Sequence, residues 1–60
     1  MTHIKKLSIT NCGLINIPDI KTLINLEYLD LSNNNIRSIY NISLPNLKEL
    51  RIHNNDIRIM

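Results

Sequence analysis

The sequence predicts an α/β repeat solenoid, with a short parallel sheet of about three strands joined by 3-10 or extended return segments. Three observations lead there. The chain has only 60 residues, so it forms one small domain at most. Its hydrophobic residues are almost all Ile and Leu, 12 and 9 of them, with no Ala, Val, Phe or Trp. Those residues recur in one pattern, three times over, at a nearly constant spacing.

A chain this short buries only about 60% of the surface that its unfolded form exposes, so a lone core is marginal and needs help. A disulfide is not the help, because Cys12 is the only cysteine. A single thiol also fits a reducing compartment. Repetition is the remaining resource, and internal repeats are sought first because missing one misreads the whole fold.

Three segments align, at residues 4–14, 26–36 and 47–57. Their apolar and turn positions are Ile4, Leu7, Ile9, Cys12 and Leu14, then Leu26, Leu29, Leu31, Asn34 and Ile36, then Leu47, Leu50, Ile52, Asn55 and Ile57. Each reads L-x-x-L-x-L-x-x-N/C-x-L. The offset is 22 residues and then 21. The register continues through Ile17, Ile20 and Leu23, and again through Ile39, Ile42 and Leu44. One residue fewer between Ile42 and Leu44 accounts for the shorter second period. Of the 23 Ile, Leu and Met residues, 19 fall on repeat positions, and Met1, Ile15, Ile24 and Ile59 do not. The chain divides into repeats at about 4–25, 26–46 and an incomplete 47–60.

This motif resembles the leucine-rich repeat family over nearly the whole chain. It is similar to the 22-residue class found in bacterial internalins and in a regulatory subunit of a protein phosphatase. The resemblance implies a right-handed β-α/3-10 superhelix. It implies short parallel strands at about residues 6–9, 28–31 and 49–52, lining a concave side, and a scaffold that binds rather than catalyses. The residues agree. Leu7 and Ile9 alternate with Lys6, Ser8 and Thr10, the period-2 pattern of a half-buried strand. Pro18 and Pro45 in the return segments argue for 3-10 or extended structure there. No repeat buries its own apolar face, so stability comes from stacking on neighbours.

Asn34, Asn55 and Cys12 occupy the turn position and are read as a buried structural ladder. A side-chain amide both donates and accepts, and so pairs backbone groups that a turning chain leaves open. The positions between the apolar ones form columns across the sheet: Lys5/Glu27/Lys48, Lys6/Tyr28/Glu49, Ser8/Asp30/Arg51, Thr10/Ser32/His53 and Asn11/Asn33/Asn54. Lys5–Glu27–Lys48 and Asp30–Arg51 are expected to pair across strands. The partner-binding residues expected from this face are Tyr28, Asp30, Arg51, His53, Lys6 and Glu49, with Tyr and Arg the types enriched at interface hot spots.

Other chemistries lack their residues. His3 and His53 fall on opposite sides of the repeat array without a third ligand, so neither a metal nor a cofactor is expected. Asp19, Asp30 and Asp56 occupy different repeat positions and make no carboxylate dyad. Gly13 is the only glycine, so there is no phosphate-cradling loop. A net charge of +2, with the bases interspersed among acids, gives no nucleic-acid patch. No apolar run approaches the ~20 residues of a membrane span, and no signal peptide is visible, so a cytoplasmic protein is expected. Neither end carries a recognisable cap, and self-association through open ends is expected. The functional reading is a non-enzymatic protein-interaction module. Its alternative is a segment of a longer array with no binding role of its own.

Overall fold

Alternation decides which side chains go inside. Leu7, Leu29 and Leu50 sit at the centres of three short strands, β1 (Lys6–Ser8), β2 (Tyr28–Asp30) and β3 (Glu49–Arg51), each flanked by polar neighbours. Successive strand residues point to opposite faces, so the leucines form one row and their neighbours another. The structure is a computed structural model and is described over residues 3–39 and 43–58. In it the strands pair in parallel in the order β1-β2-β3. Leu7 lies opposite Leu29, and Leu29 opposite Leu50, so partners are 22 and then 21 residues apart, as in the sequence period. The strands are one residue shorter than expected, although Ile9 N–H still reaches Asp30 O at 2.9 Å and Leu31 N–H reaches Arg51 O at 2.8 Å.

Of the two forms expected of the return segments, 3-10 or extended, the first is absent: no helix, α or 3-10, forms among the described residues, so the α part of the expected α/β class is not met. Isolated turns take its place, with Leu23 N–H on Ile20 O, Leu26 N–H on Leu23 O and Leu47 N–H on Leu44 O. A helix spends its N–H groups on its own carbonyls. Here several go to the preceding repeat instead: Asn35 to Leu14 O at 2.7 Å, Arg37 to Ile15 O at 3.2 Å, Asp56 to Ile36 O at 3.1 Å and Arg58 to Arg37 O at 2.7 Å. Backbone pairing between repeats therefore continues well past the sheet, which meets the same requirement by another route. Among the described residues no helix is long and apolar enough to cross a membrane.

The core sits under the middle repeat. Leu26, Leu29, Leu31 and Ile36 are fully buried, and Ile20, Leu23 and Leu44 nearly so. Their counterparts Leu7, Ile9 and Leu14 on one side, and Leu50, Ile52 and Ile57 on the other, are packed against that cluster but only partly buried. Complete burial of one such side chain is worth about 1.5–3 kcal/mol, so the middle repeat gains most from being flanked. Ile15 and Ile24, off the repeat register, are half exposed. Ile42, Ile59 and Tyr40 lie outside the described residues.

Asn34 joins the first two repeats through one side chain. Its Nδ2 donates to Ile9 O at 2.8 Å in the preceding repeat, and to Leu31 O and Ser32 O in its own. Its Oδ1 accepts the N–H groups of Cys12 and Leu14. Asn55 repeats the arrangement one step on, donating to Leu31 O and Ile52 O and accepting Ile36 N–H.

Cys12 corrects the expectation. Its thiol does not belong to the buried ladder. It is exposed, and its Sγ turns back to Thr10 O at 3.2 Å within its own repeat. The ladder has a direction, which is the reason: Asn34 and Asn55 each reach to the repeat before them, and among the described residues no repeat lies on that side of Cys12. Only the Cys12 backbone takes part.

Two outcomes follow for this ladder. Asn34→Ala should lower stability by about 1–3 kcal/mol, since it strands nearly buried backbone groups. Asn46→Ala, which removes an exposed bond to Ile24 O that water replaces, should cost less. Urea midpoints compare the two, and equal shifts would remove the ladder's special role. A thiol reagent should label Cys12 in native buffer nearly as fast as in denaturant, whereas protection in the folded chain would contradict its exposure.

Candidate functional site

The face opposite the leucine row is polar and is displayed by the strands themselves. Lys6 and Ser8 project from β1, Tyr28 and Asp30 from β2, and Glu49 and Arg51 from β3. The parallel register sets them side by side as Lys6–Tyr28–Glu49 and Ser8–Asp30–Arg51. Adjacent strands lie about 4.8 Å apart, so each column is continuous. Tyr28 and Asp30, on the middle strand, are half-buried by their neighbours, while Lys6, Glu49 and Arg51 are exposed.

The ion pairs differ in part from those expected. Lys48 reaches Glu27 at 3.7 Å, but Arg51 turns to Glu49 on its own strand at 2.9 Å rather than across to Asp30. Residues two apart on a strand share a face, which puts Glu49 within reach of Arg51, while Asp30 acts on Arg51 only through its charge. The Asp30 Oδ1 accepts the backbone N–H of Ser32 at 3.0 Å, closing a local Asx turn. Bonds from Ser32, its hydroxyl first and then its N–H, hold the Asp30 carboxyl below its ordinary value of 3.8, with smaller help from the charges of His53 and Arg51. Glu49, chiefly through its hydrogen bond, keeps Arg51 firmly protonated. Such exposed pairs are worth about 0–1 kcal/mol each, so they fix side-chain direction more than stability.

At the far end of the strands His53 is exposed, and its Nδ1 lies 3.0 Å from Ser32 Oγ. Ser32 is sealed from water at 1% exposure. Asp30, Ser32 and His53 thus form a connected polar row, in which Ser32 is the residue that sequence reasoning overlooked. It was readable only as a surface position, because its burial comes from the neighbouring repeats. The Ser32–His53 contact ties the second repeat to the third at a buried hydroxyl.

The asparagine column has a backbone cause. Asn11, Asn33 and Asn54 have φ of 56°, 60° and 56°, in the left-handed region that few residues other than glycine and asparagine enter readily. Their amides continue the strand face as a rim, where Asn54 Nδ2 donates to Asn33 Oδ1 at 2.9 Å. The recurrence of one residue type at three equivalent positions was the available signal. At the opposite end of the strands, Lys5, Lys6, Glu27, Tyr28, Lys48 and Glu49 line an open depression of about 250 Å³. Among the described residues no group of three or more His, Cys, Asp or Glu side chains is placed to hold a metal ion.

The family model described as "Leucine Rich repeats (2 copies)" matches residues 2–42 and 24–59, nearly the whole chain. "Receptor like protein 28" of Arabidopsis thaliana is 41% identical over 56 residues, 87% of this chain but only 7% of that protein. The chain therefore spans a small fraction of this relative's length. No solved structure matches the chain.

The bonds from Ser32 predict an acid sensitivity. A carboxyl whose folded value is depressed adds stability above its unfolded value, and that stability is lost as pH falls through the folded one. Asp30 should therefore contribute fully above about 3.8 and progressively less below it. Urea midpoints followed from pH 5 downward, an interval set by that ordinary carboxyl value, should fall less steeply in Asp30→Asn than in the parent. Parallel curves would remove Asp30 as a contributor.

Proposed function

Because the chain belongs to the leucine-rich repeat family, we propose that it is a non-enzymatic module that binds a protein partner on the strand face of a solenoid, with Tyr28, Asp30, Arg51, His53, Lys6 and Glu49 as the contact residues. The observation that carries this reading is the state of that face. It holds a half-buried tyrosine among exposed charged side chains on paired strands. Tyrosine offers a large contact area at low entropic cost, and Asp30 and Arg51 offer charged hydrogen bonds. The Arg51–Glu49 pair is exposed and cheap to displace. Catalysis has no comparable support: Ser32 is buried, and the acids on the face serve Ser32, Lys48 and Arg51.

A second reading is favoured by a separate observation. The chain spans 7% of its receptor-like relative, and β1 and β3 each have one unpaired edge among the described strands. On this reading the chain is a segment of a longer array, stacked through those edges. Self-association of the 60-residue chain is the corresponding proposal for the isolated segment.

Capture of partners from a lysate by the 60-residue chain separates the two readings. The paired substitution Tyr28→Ala and Arg51→Ala should weaken capture at least tenfold, or about 1.4 kcal/mol, with circular dichroism unchanged. Arg37→Ala and Lys21→Ala, exposed on the return side, should leave capture intact. Loss of binding in the return-side variants alone would move the functional surface off the strands. Failure of every form to capture protein would leave the array reading.

A further inference from the structure

The charges on the strand face are unevenly satisfied. Glu27 is engaged by Lys48 and Glu49 by Arg51, so both carboxylates bordering Tyr28 turn toward cations of the third repeat. Asp30, the third acid on the face, is directed to Ser32. Across Tyr28, on the first repeat, stand Lys5 and Lys6. Lys6 is the direct register partner of Tyr28, and both lysines are exposed. Neither has a carboxylate within ion-pair distance among the described residues. The depression around Tyr28 therefore has one side whose positive charge is answered and one whose charge is not.

We propose that this depression receives a carboxylate side chain of an acidic, extended peptide segment, seated between Lys5 and Lys6 with the Tyr28 ring beside it. The proposal rests on the reading that the strand face binds protein, and it names the chemistry of the partner. Size supports it. At about 250 Å³ the depression is below the range of ~300–1,000 Å³ typical of sites that enclose small ligands, so it suits a side chain projecting from a longer segment. Charge placement favours a peptide over nucleic acid. A phosphate backbone crossing the strands carries regularly spaced negative charge and would pass over Glu27, Glu49 and Asp30. A peptide presents its acid at one position and neutral groups at the next. Lys5 and Lys6 act at long range in solvent, so the attraction weakens as salt screens it.

The test is fluorescence anisotropy of a short labelled oligoglutamate peptide titrated with the full 60-residue chain, beside its glutamine counterpart and a single-stranded DNA oligomer. The oligoglutamate peptide should bind, the glutamine peptide should bind at least tenfold more weakly, and added salt should weaken the oligoglutamate complex. The double substitution Lys5→Gln and Lys6→Gln should weaken it at least tenfold, while Lys21→Gln, exposed on the return segment, should not. Lys6→Gln alone, with its strand pairing untouched, should give an intermediate loss and serves if the double variant folds poorly. Equal binding of the glutamine peptide, or no change in the lysine variants, overturns the proposal. Tighter binding of the DNA oligomer also overturns it and assigns the face to phosphate. If oligoglutamate does not bind while capture of protein still depends on Tyr28 and Arg51, the acidic-segment inference falls and the binding-face reading stands.

Discussion

Asn34 exchanges hydrogen bonds with two repeats at once while its amide is almost closed to water. The rest of the structure depends on that kind of contact. A repeat of about twenty residues turns back on itself without a helix, and its turning backbone leaves N–H and C=O groups that its own atoms do not reach. Buried groups of this kind must be paired. Here the pairing is supplied from the next repeat, by asparagine side chains and by backbone bonds along the return side. The same contact that satisfies the polar groups also presses Leu26, Leu29, Leu31 and Ile36 between their neighbours. Hydrogen bonding and hydrophobic burial are thus one event in this fold, and each requires the adjacent repeat.

Stacking of that sort has consequences for the exposed face. A parallel register without slippage places equivalent positions side by side, so variation between repeats is displayed as a row of different side chains on a fixed backbone. The backbone does little to distinguish Lys6, Tyr28 and Glu49, and their chemistry is free to differ because none of them holds the sheet together. The ladder and the rim of left-handed asparagines are constrained, since each must meet a set backbone geometry. Constraint and variability therefore alternate along every repeat, and a recognition surface is most readily placed on the variable residues.

Much of this was legible in order of residues alone. The strand positions, the parallel register and the core row follow from the spacing of Ile and Leu, because a side chain's face is set by its place in a two-residue alternation. The ladder role of Asn34 and Asn55 was legible for a similar reason: the repeat motif fixes a turn there, and an amide is suited to close it. Cys12 was misplaced inside because its motif position says which way the chain turns, not whether another repeat covers it. The helical part of the expected fold was likewise absent, since the pattern of apolar residues every third position is met equally by isolated turns such as Leu23 N–H on Ile20 O, while N–H groups elsewhere in the repeat bond the preceding one.

What the sequence by itself determined is the local and periodic part: which residues point inward and how far apart the repeats lie. Tertiary structure alone decided the pairings among charges and the burial of polar groups. Arg51 pairs with Glu49 on its own strand and not with Asp30 across the sheet, Asp30 Oδ1 accepts the Ser32 N–H, and Ser32 was sealed because repeats stand on both sides of it. Those outcomes are competitions between partners brought together from separate parts of the chain. A linear pattern lists the competitors, but only their distances in the folded molecule choose between them.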